Sequence, residues 1–163
     1  MPIKTTAEAI REATAQLLAE SPDYYVIGEG VTDPKGAFNT TVNLHREFPG
    51  RVWDMPVSEN GMTGVCIGSA VVGMRPIMVH MRADFLLYAM DQIVNNAAKW
   101  HLMFGGKAGS VPLVMRAVIG RGWGQGVQHS QHLEDLFSTI PGLKAVCPSN
   151  AYDAKGMLIA AAR

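Results

Sequence analysis

Arg51-Val52-Trp53-Asp54-Met55, then Pro56-Val57-Ser58-Glu59-Asn60-Gly61, then Met62-Thr63-Gly64-Val65-Cys66-Ile67-Gly68-Ser69-Ala70-Val71-Val72-Gly73 reads as a short strand, a turn and a buried helix of small residues. A strand passing through a tight turn into a helix is the repeating unit of an α/β domain. Gly64, Gly68 and Gly73 each cost about 0.5–1 kcal/mol against alanine inside a helix, so they predict close packing or a ligand on that face. A lone carboxylate, Glu59, stands at the turn and is the candidate catalytic residue. From the residues alone it could equally cap the helix that follows, where the dipole favours a negative charge.

Working outward, residues 5–20 put Ala9, Ile10, Ala13, Leu17 and Leu18 on one helical face, and Thr5 with Glu8 fits a capping box. Pro22-Asp23 ends that helix and 24–28 reads as a strand, followed by a polar loop over 30–39 and a second helix over 40–48. Downstream, 77–81 predicts a third strand. Leu86, Ala89, Met90, Ile93, Ala97 and Trp100 predict a long helix over 85–103, stopped by Gly105-Gly106. Residues 111–116 are almost continuously apolar, as in a parallel strand covered on both faces. The run Gly120-Arg121-Gly122-Trp123-Gly124-Gln125-Gly126 is too rich in glycine to be packing. Gln128-His129-Ser130-Gln131 then precedes a short helix, 144–146 reads as a fifth strand, and Asn150 caps a last helix. The alternation predicts a three-layer α/β/α domain with a mainly parallel sheet and ligands beyond the carboxyl ends of the strands. Glu59, residues 81–85 and His129 all follow strands.

Composition narrows the function. With 163 residues, 48% hydrophobic and 17% charged, the chain suits one well-buried domain, and 14 basic against 14 acidic residues give no field for nucleic acid. No apolar run approaches a membrane span and residues 1–6 lack a signal peptide's apolar core, so a cytoplasmic protein is expected. Cys66 and Cys147 are isolated, without metal-ligand or redox spacing, and read as buried thiols. Gly28-Glu29-Gly30 lacks the third glycine of a dinucleotide fingerprint, and Glu29 is set aside as a possible subunit contact. The chain stops at Ala160-Ala161-Ala162-Arg163, inside a helix where an α/β unit continues into another strand, so residues 1–163 are expected to be a truncated domain.

Asp54-Met55-Pro56-Val57-Ser58-Glu59-Asn60-Gly61, Gly73-Met74-Arg75-Pro76-Ile77 and Ala89-Met90-Asp91-Gln92-Ile93-Val94-Asn95-Asn96-Ala97-Ala98-Lys99 resemble, in that order, the beta subunit of the thiamine-diphosphate-dependent 2-oxo acid dehydrogenases of pyruvate, branched-chain or acetoin type. Gln128-His129-Ser130-Gln131, Ile140-Pro141-Gly142-Leu143-Lys144, Pro148-Ser149 and Asp153-Ala154-Lys155-Gly156 continue the resemblance, which covers most of residues 5–160. It implies the pyrimidine-binding domain of the transketolase-like fold, with the last strand and a carboxyl-terminal domain missing. In that family the beta chain holds the aminopyrimidine of thiamine diphosphate, and an alpha chain supplies the diphosphate and Mg2+ site through a Gly-Asp-Gly motif absent here.

Residue by residue, the resemblance implies that Glu59 bonds the aminopyrimidine ring nitrogen and shares a proton with it. Met81 and Phe85 match positions that sandwich that ring, and His129 matches the histidine serving acyl transfer or protonation of intermediates. Plain core packing is the competing role for Met81 and Phe85. Helix capping competes for His129, with His132 a second candidate for the cap; His45, His80 and His101 read as surface or packing residues. Arg82 is charged where relatives often carry an uncharged residue, suggesting contact with substrate or partner. Arg121 and Trp123 also depart from the pyruvate-type loop. The implied activity is decarboxylation of a small 2-oxo acid with acyl transfer to a lipoyl-bearing acyltransferase, within a heterotetramer of this chain, a second beta copy and alpha subunits. Transfer of the acyl or ketol unit to a carbonyl acceptor such as a keto sugar is the alternative enzyme, and a non-catalytic assembly domain the alternative outside catalysis.

Overall fold

The computed structural model describes residues 3–120 and 124–163. Helix α1 (Thr6–Glu20) opens with the capping box its sequence predicts: Thr5 Oγ1 accepts from the Glu8 amide at 3.2 Å, and Glu8 accepts from the Thr5 amide at 2.7 Å. Strand β1 (Tyr24–Gly28) follows, then α2 (Leu44–Glu47), β2 (Val52–Asp54), α3 (Glu59–Val71) and β3 (Arg75–His80). Past α4 (Ala83–Leu86) the chain runs through a 3-10 turn (Leu87–Ala89) and a π-helical stretch (Asp91–Ala97) into α5 (Trp100–Met103). Strand β4 (Val114–Ala117), α6 (Glu134–Ser138) and α7 (Ala151–Ala162) complete the order.

The four strands are all parallel in the order β2-β1-β3-β4, with Val26 opposite Val52 and Ile77, and Ile77 opposite Val114. Every residue of β1 is buried, because both sheet faces are covered. On one face Leu17 and Leu18 of α1 and Ala162 of α7 meet Tyr24, Val26, Ile77 and Val79. On the other, Cys66 of α3 meets Tyr25, Ile27 and Met78, and the segment after β3 packs Ala89 and Ile93 against Met115 and Ala117. The predicted three-layer α/β/α architecture with a parallel sheet is what the chain adopts.

Several local expectations change. Residues 144–146 form no strand: Lys and Ala have low strand propensity, and Val146, the one β-branched residue, is 59% exposed. The second helix is one turn long because Asn43 enters it with a left-handed φ of 60°. The predicted 85–103 helix is helical but not uniformly α, with the Ala98 amide donating to the Ile93 carbonyl five residues back at 2.9 Å. Cys66 is buried, which pushes its thiol up to about 11, whereas Cys147 is exposed. The glycine face of α3 finds no tight packing among the described residues: there a Cβ on Gly68 would meet nothing within 4 Å, and one on Gly64 only Gln92 at 3.5 Å.

His80, closing β3, is 3% exposed, and its Nε2 has no hydrogen-bond partner among the described residues. Burial pushes its imidazole down from 6.5 to about 4. Below pH 6.5 the unfolded chain therefore takes up this proton before the folded one, so stability is full above pH 6.5 and drains away down to about pH 4. The expected loss is on the order of 3 kcal/mol, read from urea midpoints across that window. His80→Phe should flatten that limb, and an unchanged slope in the variant would contradict the assignment.

Candidate active site

Because the strands are parallel, their carboxyl ends share one edge, and each delivers a residue there. Glu29 follows β1, Glu59 begins α3 after β2, Met81 and Phe85 follow β3, and His129 lies in a 3-10 turn (Val127–His129) after β4. Asp54 at the end of β2 steadies the first crossing: its carboxylate accepts from the Gly30 amide at 2.8 Å and from Thr32 Oγ1 at 3.2 Å.

Phe85 is the common wall of two cavities. One, of about 440 Å³, is lined by Glu29, Val57, Glu59, Phe85 and Tyr88. The other, of about 540 Å³, puts Met81, Arg82, Phe38 and His129 around the same phenyl ring. Tyr88 stacks on Phe85 with ring centres 6.3 Å apart, and the His129 ring meets it edge-on at 5.1 Å and 84°. Of the four residues singled out from the sequence, Glu59, Met81 and His129 thus gather around the fourth, Phe85.

Glu59 is 8% exposed, and among the described residues no hydrogen bond engages its carboxylate. The helix cap is Ser58, not Glu59, so α3 starts two residues before Gly61 with Glu59 in its first turn. Glu29 faces the same cavity with a buried Oε1 that no described residue satisfies. Burial raises the Glu29 pKa, and the carboxylates of Glu59 and Asp54 raise it further. Two acidic side chains on one cavity beside the Phe85 and Tyr88 rings suit a flat heterocycle with a nitrogen that can carry a proton, whereas Met81 lines the neighbouring His129 cavity. The residues present therefore fit an aminopyrimidine. Among the described residues no cluster of three His, Cys, Asp or Glu could hold a metal ion.

His129 is half-buried, with its Nδ1 buried and unbonded among the described residues. His132 instead contacts Glu134 Oε1 at 3.2 Å, as a residue near the start of α6 can. Phe38 takes a left-handed φ of 49°, uncommon outside glycine, under the Arg82 guanidinium at 5.8 Å. Arg121 and Trp123 lie outside the described residues. Sequence reading set Glu29 aside and did not single out Tyr88. The first is recoverable only from strand order, and the second from its three-residue helical spacing to Phe85.

Comparison with known proteins gives the family of the chain. The chain is 44% identical to the beta subunit of acetoin:2,6-dichlorophenolindophenol oxidoreductase from Cupriavidus necator, over 95% of this chain and 48% of that protein. It is 43% identical to the beta subunit of the pyruvate dehydrogenase E1 component from Rhizobium meliloti, over 100% of this chain and 35% of the relative. The chain therefore spans about half or less of the length of these relatives. A solved structure titled split gene transketolase, inactive beta4 tetramer, superposes with a TM-score of 0.74 at 24% identity, covering 96% of this chain and 46% of the other, a likeness of fold. The family described as "Transketolase, pyrimidine binding domain" matches residues 3–163, and this chain belongs to it.

Proposed function

We propose that this chain is the pyrimidine-binding half of a thiamine-diphosphate-dependent 2-oxo acid dehydrogenase of the beta-subunit kind. The observation that carries the reading is the Phe85 wall, with Glu59 in the cavity on one side and His129 in the cavity on the other. Thiamine diphosphate, when bound, supplies a carbon nucleophile for the 2-oxo group and an electron sink for decarboxylation. Glu59, only 8% exposed, holds a proton against the ring nitrogen of the aminopyrimidine. Phe85 fixes the plane of the ring, with Met81 beside it on the His129 side, and His129 moves a proton on the substrate side.

The named relatives are beta subunits, and the open glycine face of α3 together with exposed Tyr88, Leu102 and Met103 gives a partner chain apolar surface to cover. We assign the diphosphate and Mg2+ to an alpha subunit across that surface, with a second beta copy, a lipoyl-bearing acyltransferase as acyl acceptor and a small 2-oxo acid as substrate. A cytoplasmic setting fits two free cysteines, and no helix among the described residues is long and apolar enough to cross a membrane. The second reading, transfer to a carbonyl acceptor such as a keto sugar, draws on Lys35 and Asn39 lining the His129 cavity, polar groups suited to a hydroxylated acceptor.

The intact protein, copurified with its alpha-type partner, thiamine diphosphate and Mg2+, should reduce an artificial electron acceptor only when a 2-oxo acid is present. Reduction independent of the 2-oxo acid, or turnover that appears only with a sugar acceptor, would displace the dehydrogenase reading.

A further inference from the structure

The turn Arg82-Ala83-Asp84 touches the segment carrying His129 at Val118, Gly120, Gln125 and Gln131. That segment is closed at its base, where the Gly120 amide donates to the Gln131 carbonyl at 3.1 Å. Arg82, 3% exposed, donates from Nη1 to the Gly120 carbonyl at 3.1 Å and from Nη2 to Gln125 Oε1 at 2.6 Å. The Ala83 amide donates to the Val118 carbonyl at 2.9 Å, just ahead of the closure. Asp84, 7% exposed, accepts at Oδ1 from the Gln131 side-chain amide at 2.7 Å and from its backbone amide at 3.4 Å. The next residue in the turn is Phe85, the ring that His129 meets edge-on.

We infer that Arg82 and Asp84 are positioning residues: by gripping residues 120, 125 and 131 from the turn that carries Phe85, they set where His129 stands against that ring. One turn thus fixes both the aromatic wall and the histidine, so an error in one is not independent of the other. Buried, charge-assisted bonds suit such a role, since a carboxylate or guanidinium bonded to neutral amides holds its partners more tightly than a neutral group would. The charge at position 82 then serves the loop directly, and reaches substrate only through the placement of His129. The inference rests on the reading that His129 takes part in turnover.

The test uses the intact complex, four single variants and one double variant. Asp84→Ala should lower kcat roughly 10- to 100-fold, the cost of misplacing a reacting group by about an ångström, while the Kd for thiamine diphosphate stays unchanged. Asp84→Asn, which keeps the Oδ1 acceptor, should recover most of the loss. Adding Asp84→Ala to His129→Ala should cost nothing beyond His129→Ala alone, because both remove the same contribution. Independently of turnover, Asp84→Ala and Arg82→Met should each speed hydrogen exchange of the amides at residues 125–131 in the cofactor-free complex. Exchange unchanged in both variants, or additive losses in the double variant, overturns the positioning role and leaves the dehydrogenase reading intact. A His129→Ala complex as active as wild type overturns the reading of His129 and the inference with it.

Discussion

Glu59→Gln should abolish most turnover while leaving the cofactor bound. Glutamine keeps the size of the side chain and can still bond to a ring nitrogen, but it cannot give up or take back a proton. The loss is therefore confined to proton transfer, for which a positioned side chain is worth roughly 100- to 10,000-fold. Three observations set the scale toward the upper part of that range. Glu59 is nearly buried, no described residue competes for its carboxylate, and Glu29 across the cavity is itself pushed toward its neutral form by burial and by the Glu59 and Asp54 charges. The variant should keep the wild-type Kd for thiamine diphosphate, measured by titration against the intact complex, with kcat carrying the loss. A large rise in Kd with kcat preserved would make Glu59 an anchor and not a proton carrier.

Gly28→Ala should have the largest effect on stability. Gly28 closes β1 in the centre of the sheet, paired with Asp54 on one side and Val79 on the other. A Cβ there would stand 2.3 Å from the Val79 carbonyl oxygen, 2.8 Å from Val79 Cβ and 3.0 Å from Val31 Cγ1. The first contact is with backbone held in the parallel ladder, so relief requires β1 and β3 to part at the edge from which Glu29 departs. Overpacking of a well-packed core costs about 1–3 kcal/mol and occasionally more; with a backbone atom as the obstacle we expect about 3 kcal/mol or more, read from urea midpoints. Glu29 should also be displaced, so turnover of whatever folds should fall with stability. A variant within about 0.5 kcal/mol of wild type, the usual range for an innocuous surface change, would mean that the strands approach less closely than described.

The alternation of apolar strands with helical periods carried the architecture, and the placement of Glu59, Met81, Phe85 and His129 after strand ends carried the edge on which a site must lie. The convergence on Phe85 was not visible from spacing, because it depends on the order β2-β1-β3-β4, which brings the ends of β2 and β4 to the two sides of the turn after β3. Glu29 was lost for the same reason: a Gly-Glu-Gly run carries no sign that it faces Glu59 until β1 lies beside β2. The π-helical stretch escaped because Ala89, Ile93 and Ala97 look alike at either helical pitch. What differs is the backbone ladder, in which the Ala98 amide reaches the Ile93 carbonyl five residues back at 2.9 Å. The expected close packing of the α3 glycines is not met among the described residues, because their face is largely exposed. Arg82 stood out as a charge out of place, but its bonds to Gly120 and Gln125, some forty residues on, were not legible from the sequence.

The account stands on Glu59 acting at the ring nitrogen of the aminopyrimidine. The most direct test compares wild type with Glu59→Gln in 2-oxo-acid-dependent acceptor reduction, using a thiamine diphosphate analogue in which that nitrogen is replaced by C–H. With the native cofactor the two should differ roughly 100-fold or more, and with the analogue both should be slow and equal, because the group Glu59 serves is gone. A wild-type advantage that survives intact with the analogue would contradict the account, since Glu59 would then be doing its work elsewhere.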